Sequence, residues 1–315
     1  MKENNKKLIS TSTREKLCSV YSNLPADNEI LVDCIRDEIL SNISHYVRIT
    51  DFNVPVKKVE TLFLKKVSHH LENDKVVLRR ALVAKLALHL PAIVNTMNLP
   101  ESIISLYPDA FDRLAEFLNN TCVEPYDSTN DFFRKDIRFV IGLSIPCGAQ
   151  VVDMYSQFRL STVIISFLRS RDFNSISRYL FIKGYRPWFQ IHTESRYLND
   201  FNKEGWDRCY LRIAELLDRK QNITGMVGTS WFYDPQLLKI SPHLSYLQNF
   251  LLDHGAFRLR HGTQRSDIAN AIKTSETRRQ LFQEGRYIPV CYSMLWPRDK
   301  LIAWAKQVTT PSTHD

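Results

Sequence analysis

The residues able to do chemistry crowd into one stretch of the chain. His192, Glu194, Ser230, Tyr233, Asp234, His243, Arg258, Arg260 and His261 form its densest polar and aromatic constellation. His192 and Glu194 alternate at the end of a strand-like run, RPWFQIHTE, so both side chains face one side. Such a pair can deprotonate an amine, as general-base catalysis requires. Tyr233 and Asp234 close the next strand-like run, where ligand-facing residues gather in open sheets. These four are the catalytic candidates. Further on, SPHLS starts a helix whose N–H groups, near His243 and Ser245, can receive a phosphate or an oxyanion. Arg258, Arg278 and Arg279 supply guanidinium forks that bind carboxylate or phosphate bidentately. With His243 and Ser245 they are the candidates for holding an anionic cofactor.

Each group also has a plain structural reading. Asp234-Pro235 is a common turn starter, and Ser241-Pro242 can cap a helix. His192 can serve as a hydrogen-bonded structural residue, and Arg278-Arg279 can lie on a solvated helix face. His192, Glu194, His243 and His261 could instead ligate a non-haem iron, an alternative that rests on the HxE spacing. A GxSxG elbow, a P-loop and GxGxxG are all absent from the sequence. Hydrolase, NTPase and dinucleotide readings therefore lose their usual support.

The elements that must position these residues follow from the chain as a whole. At 315 residues it exceeds the usual single-core size, so two domains are expected. With 44% hydrophobic and 24% charged residues it has the composition of a soluble globular protein. No run approaches the roughly 18 consecutive apolar residues of a membrane span. The opening MKENNKKLISTSTREK is charged and polar with no apolar core, unlike a secretory signal, and its first ten or so residues are expected to be unordered. Cys18, Cys34, Cys122, Cys147, Cys209 and Cys291 are scattered with no CxxC pair. Reduced cysteines in a cytoplasmic protein are the expectation, rather than a disulfide framework or a structural zinc site.

The two halves differ. All nine glycines lie at or after Gly142, and all five tryptophans at or after Trp188. Through Ile141 there are 19 basic and 19 acidic residues, so the net charge of +8 belongs to the remainder, which holds sixteen arginines. The first half reads as a helical bundle. Asp27 is the expected cap of a helix whose apolar face is Ile30, Leu31, Cys34, Ile35, Ile39 and Ile43. A second helix is expected from about Pro55 to Asp74, with Val59, Leu62, Phe63 and Val67 inward. A third, KVVLRRALVAKLALHLPAIVNTM, is apolar all round and central, with Pro91 kinking or ending it. A fourth spans Pro100 to Asn119 and breaks early at Pro108. His69, His70 and His89 are packing or surface residues in this reading. Glu124 to Asp131 is the expected linker, dividing a helical domain, 1–125, from a mixed domain, 126–315.

In the second half strand-like and helix-like runs alternate, which argues for a sheet layered with helices, an α+β fold. Two short strands flank Pro146-Cys147-Gly148, and LSTVIISFLRS is helical. Strands then lie in RPWFQIHTESRYL, ITGMVGTSWFYD, AFRLRHG and YIPVCYSMLW. Helices lie in NKEGWDRCYLRIAELLDRK, in HLSYLQNFLLDHG closed by Gly255, from Ser266 to a stop at Gly285, and in RDKLIAWAKQ. Alternation would send Trp231 and Tyr233 to one face and Phe232 to the other.

The order strand, helix, strand, helix, strand from Ile223 to Trp296 resembles the second half of the GNAT acyltransferase superfamily. AIKTSETRRQLFQEGRYIPVCYSML is similar to that fold's late helix, which ends in an aromatic, a glycine and another aromatic, here Phe282, Gly285 and Tyr287. The glycine-rich pyrophosphate loop of coenzyme-A-dependent members is missing from ISPHLSYLQ. The tyrosine that often acts as general acid is Phe282 here. Members that use acyl carrier protein, such as autoinducer synthases, also diverge at that loop. The resemblance implies an enzyme that takes an acyl group from a thioester donor, on coenzyme A or acyl carrier protein, to an amine. An acidic carrier would suit an arginine-rich face. Two alternatives stand beside it. One is a non-enzymatic arginine-rich module for nucleic acid or an acidic protein, although no nucleic-acid motif appears. The other is the metal-dependent oxygenase.

Overall fold

The computed structural model describes residues 8–46, 51–120, 125–158, 160–194, 196 and 198–310. Residues 1–7 of the N-terminal segment, Cys122 and Glu124 of the expected linker lie outside them. The chain packs as two compact units. One is Met1–Cys147 with Val151–Tyr155, and the other is Gly148–Gln150 with Ser156–Asp315. The division expected at residues 125/126 falls inside the first unit. Tyr126 gives the reason. It is fully buried, its ring meets Phe117 and Phe133, and its hydroxyl donates to Asp136 Oδ2 at 2.8 Å. The described part of the expected linker is therefore held by the helices on either side.

The first unit holds α1 (Thr11–Ser19), α2 (Ala26–Ser41), α3 (Ile43–Tyr46), α4 (Asn53–Lys66), α5 (Glu72–Thr96), α6 (Glu101–Ile104), α7 (Tyr107–Asn119) and α8 (Asp131–Val140). α5 is central, as its all-round apolar sequence predicts, with Leu78, Leu82, Leu86 and Leu90 buried. Pro91 does not end it. The helix runs on to Thr96, its last turns anchored by buried Leu90 and Val94. In α2 the buried residues are Val32, Ile35 and Ile39, and Ile30 faces out. Asp27 is not the cap either. Pro25 holds that position, and Asp27 lies in the first turn, where its charge meets the helix dipole. α4 stops at Lys66, short of the expected Asp74, and the break at Pro108 resolves into α6 and α7.

Several buried cations stitch this unit. Arg79 Nη2 donates to Glu60 Oε1 at 2.7 Å, and Lys85 Nζ reaches Glu29 and Asp33 at 2.9 and 2.8 Å. Arg80 Nη1 donates to the carbonyls of Phe117, Leu118 and Asn120. It satisfies acceptors that the end of α7 leaves open. β1 (Ser144–Pro146) pairs antiparallel with β2 (Gln150–Gln157), with Ser144 opposite Asp153. There Arg138 and Asp153 form an almost fully buried ion pair at 3.0 Å, Ser144 Oγ donates to the same carboxylate, and Arg138 Nη1 donates to Phe52 O.

The second unit holds α9 (Leu160–Ser170), α10 (Phe173–Phe181), β3 (Pro187–Thr193), α11 (Lys203–Arg219), β4 (Gly225–Ser230), α12 (Leu237–Ile240), α13 (Asn249–Asp253), β5 (Phe257–Arg260), α14 (Arg265–Lys273), α15 (Glu276–Gln283), β6 (Tyr292–Pro297) and α16 (Arg298–Thr309). Among the described residues of this unit the strands lie side by side in the order β3-β4-β6-β5. β3 and β4 run parallel around the crossover α11, while β6 is antiparallel to both β4 and β5. The mixed α/β architecture is thus the one expected.

Three expected elements differ. The strand expected through Tyr233 ends at Ser230, whose hydroxyl accepts the Phe232 N–H at 3.1 Å and turns the chain into a 3-10 turn, Trp231–Tyr233. Trp231 and Tyr233 are buried and Phe232 is half-buried, but by that turn rather than by strand alternation. The helix expected around His243 is a 3-10 segment, Pro242–Leu247, followed by α13. The long helix expected from Ser266 is two, because Ser275 starts a second one by accepting the Arg278 N–H at 3.3 Å.

Asp153→Ala should leave the Arg138 guanidinium buried without its counter-ion. We expect a loss of roughly 3–5 kcal/mol in urea unfolding of the intact chain. A loss under about 1 kcal/mol, the size of an exposed pair, would contradict this account of the core.

Candidate functional site

Register decides which side chains meet on the second unit's sheet. Val227 lies opposite Leu295, which lies opposite Phe257. Two residues on, Thr229, Ser293 and Leu259 form the next row. Directly paired residues share a face, so these two rows look the same way. The apolar row joins Phe158, Val163, Tyr179 and Trp188 in one cluster. Thr229 and Ser293 of the second row stand next to Leu259, which belongs to that cluster, near the ends of β4 and β5.

There the side chains form a hydrogen-bonded line. Thr229 Oγ1 and Ser293 Oγ are 2.7 Å apart, and Ser293 Oγ is 3.2 Å from His261 Nδ1. Ser293 is fully buried and His261 half-buried. The His261 N–H donates to Cys291 O at 2.8 Å, which fixes the residue just past the end of β5. Burial pushes the imidazole below its ordinary value; Asp267 pulls it up and Arg169 pushes it down. His261 is therefore a neutral imidazole near pH 7, with one nitrogen already oriented by a hydroxyl. His192 lies one residue beyond the last β3–β4 pair, Ile191 with Gly228, and shares the parity of Gln190, the partner of Val227. It stands on the same face as Thr229 and Ser293.

The opposite face carries the other candidates. Gly228, Met294 and Arg258 form one row, and Ser230, Tyr292 and Arg260 the next. Asp234 is fully buried, and its carboxylate accepts the N–H groups of Gln236 and Val290, each at 3.0 Å. Burial raises it above the ordinary carboxylate value, while those bonds pull it back. Gln248 donates to the carbonyls of Phe232 and Asp234 and accepts from Arg258 Nη1 at 2.8 Å. Tyr233 lies beneath the sheet, and a Cβ on Gly228 would come within 2.8 Å of its hydroxyl. Burial drives that hydroxyl far above its ordinary range. Arg278 is buried over the Trp231 ring at 4.9 Å and donates to Ala271 O and Ser241 Oγ.

The nine sequence candidates are therefore not one cluster. His192 and His261 belong with Thr229 and Ser293. Glu194 holds Arg196 through two side-chain bonds of 2.9 Å. Asp234, Arg258 and Arg278 are hydrogen-bonded within the fold around the turn after β4, and Tyr233 is buried there. His243 is exposed and Ser245 half-buried in the 3-10 segment, where the Leu244 N–H already donates to Ser241 O. Arg279 pairs with Glu276 near the surface. Among the described residues no three His, Cys, Asp or Glu side chains gather as a metal site, which removes the geometric basis of an iron site at His192, Glu194, His243 and His261. Thr229 and Ser293 were not among the candidates. The available signal was a small polar residue on the inward side of an apolar strand, YSMLW.

No family model matches the chain, and no curated protein matches it. It is similar to a solved structure described as an acyltransferase in complex with decanoyl-CoA and teicoplanin. That likeness is 11% in sequence identity, covers 92% of this chain and 85% of the other, and has a TM-score of 0.47. A likeness that loose bears no weight for the site.

His261 binds fewer protons in the folded protein than in the unfolded chain between its lowered value and about 6.5. Its contribution to stability is full above about pH 6.5 and declines as the pH falls through the lowered value. His261→Gln should flatten that acid-side slope in thermal melts. Identical slopes in both proteins would contradict a buried neutral imidazole.

Proposed function

We propose that the second unit is an acyltransferase that moves an acyl group from a carrier thioester to an amine. The observation that carries this reading is His261, neutral near pH 7 and tied to a buried serine at the strand ends. A base poised near the working pH is what amine deprotonation needs. With Nδ1–H donated to Ser293 Oγ, the Nε2 lone pair is left for the substrate. The amine nitrogen attacks the thioester carbonyl and forms the new C–N bond. Its proton passes to Nε2. The tetrahedral adduct then collapses, the C–S bond breaks, and the departing thiolate takes the proton back. Thr229 and Ser293 act as positioning residues that hold the imidazole in one tautomer.

Acyl transfer is favoured over other base-assisted reactions by the order of elements from Gly225 to Pro297. It runs strand, helix, strand, helix, strand, the order that the GNAT resemblance implies. Coenzyme A and an acyl carrier protein are the donors that the resemblance implies. Arg258 and Arg278 are committed to internal partners, so these two arginines do not serve the arginine-rich binding alternative.

The test incubates the purified chain with acyl-coenzyme A or acyl carrier protein donors and a panel of amines, read by mass spectrometry. Amide product and released thiol are expected. His261→Gln should lower kcat by roughly 100-fold or more and remove the acid limb of its pH profile. Ser293→Ala should shift that limb while leaving KM unchanged. No amide with any donor, or full activity in His261→Gln, would contradict the proposal.

A further inference from the structure

Helices α9 and α10 are inside out. α9 buries Val163 and Ser166 and turns Leu160, Ile164 and Leu168 to solvent. Those three are spaced by four residues, so they form one stripe along the helix. On α10, Phe173, Leu180 and Phe181 share a face by the same periodicity, and Phe181 is 89% exposed. Soluble surfaces rarely expose large apolar side chains in such concentration, and those that do mark contact surfaces.

The pair is not frayed. The Phe167 and Phe173 rings meet edge to face at 4.7 Å. Tyr179 OH donates to Phe158 O at 2.8 Å, and Arg178 Nη2 donates to Gly255 O at 2.9 Å. The apolar side chains are thus presented by helices fixed to the sheet.

Their charge is one-sided. Between Leu160 and Arg186 the chain carries Arg169, Arg171, Arg178, Lys183 and Arg186, against Asp172 alone. That one carboxylate is occupied, since it accepts the Ser175 N–H and hydroxyl and so caps α10. All five cations are exposed, with Arg178 held by Gly255 O.

From this geometry we infer that α9 and α10 dock the protein onto an anionic phospholipid surface. Apolar side chains that stand proud of two helices suit insertion among acyl chains just below the headgroups, and the basic residues then meet the lipid phosphates. Each such cation near an anionic leaflet strengthens partitioning by roughly fivefold. The contact is with the surface, since no described helix is long and apolar enough to cross a membrane. This inference does not rest on the acyl-transfer reading.

Cosedimentation of the full chain with vesicles tests it. One set is pure phosphatidylcholine, and the other contains one-third phosphatidylglycerol. Binding is expected to the anionic vesicles, at least roughly tenfold tighter than to the neutral ones and weakened by added salt. Leu168→Glu with Phe181→Glu should abolish it, and Arg171→Glu with Arg186→Glu should weaken it by about tenfold or more. All four positions are exposed, and unchanged thermal melts confirm that the variants fold. Three results would overturn the inference: no binding to either vesicle, equal binding of wild type and the Leu168/Phe181 variant, or a self-association that the variant dissolves without any vesicle binding. The last would assign the face to a second copy of this chain.

Discussion

The insertion of β6 between β4 and β5 is the constraint on which the second unit depends. It puts Ser293 opposite Thr229 on one side and Leu259 on the other. Because side chains alternate along a strand, a slip of one residue would carry Ser293 and Leu295 to the far face. The apolar cluster would lose Leu295, and His261 would lose its hydroxyl partner. One register thus fixes both the core and the polar line at its end.

The two faces of that sheet have divided the polar residues between them. On one face a short line of Thr229, Ser293 and His261 borders an apolar cluster and ends in a neutral imidazole. On the other, Asp234 and Gln248 bond the backbone of the turn after β4, and Arg258 donates to Gln248. A group whose hydrogen-bonding capacity is spent on backbone N–H and C=O groups holds a shape. A half-buried base with one nitrogen oriented has the other available for chemistry. Burial acts on both sets, but partners decide what each can do.

Local periodicity made much of this legible. The helical first half, the central α5 and the runs that became β3, α11, β4, β5, β6 and α16 all stand in the sequence as alternation or as a stripe of apolar residues. His192 and His261 were visible as polar ends of strand-like runs. What periodicity does not carry is pairing. That β6 lies between β4 and β5 is a non-local fact, so nothing local marks Ser293 as the partner of His261. Local capping also overrode propensity. Trp231, Phe232 and Tyr233 have strong strand preference, yet the Ser230 hydroxyl ends the strand before them. Ser275 likewise splits one expected helix into α14 and α15. Tyr126 hid in a stretch whose composition reads as a linker, because one buried ring with a hydrogen-bonded hydroxyl outweighs several turn-forming neighbours.

The central claim is that His261 sits neutral and oriented by Ser293. Nitrogen-15 NMR of the histidine side chains across a pH titration reports both properties at once. The account predicts that His261 titrates below the ordinary imidazole value of about 6.5 and carries its proton on Nδ1 when neutral. An ordinary value with the proton on Nε2, unchanged in Ser293→Ala, would contradict it.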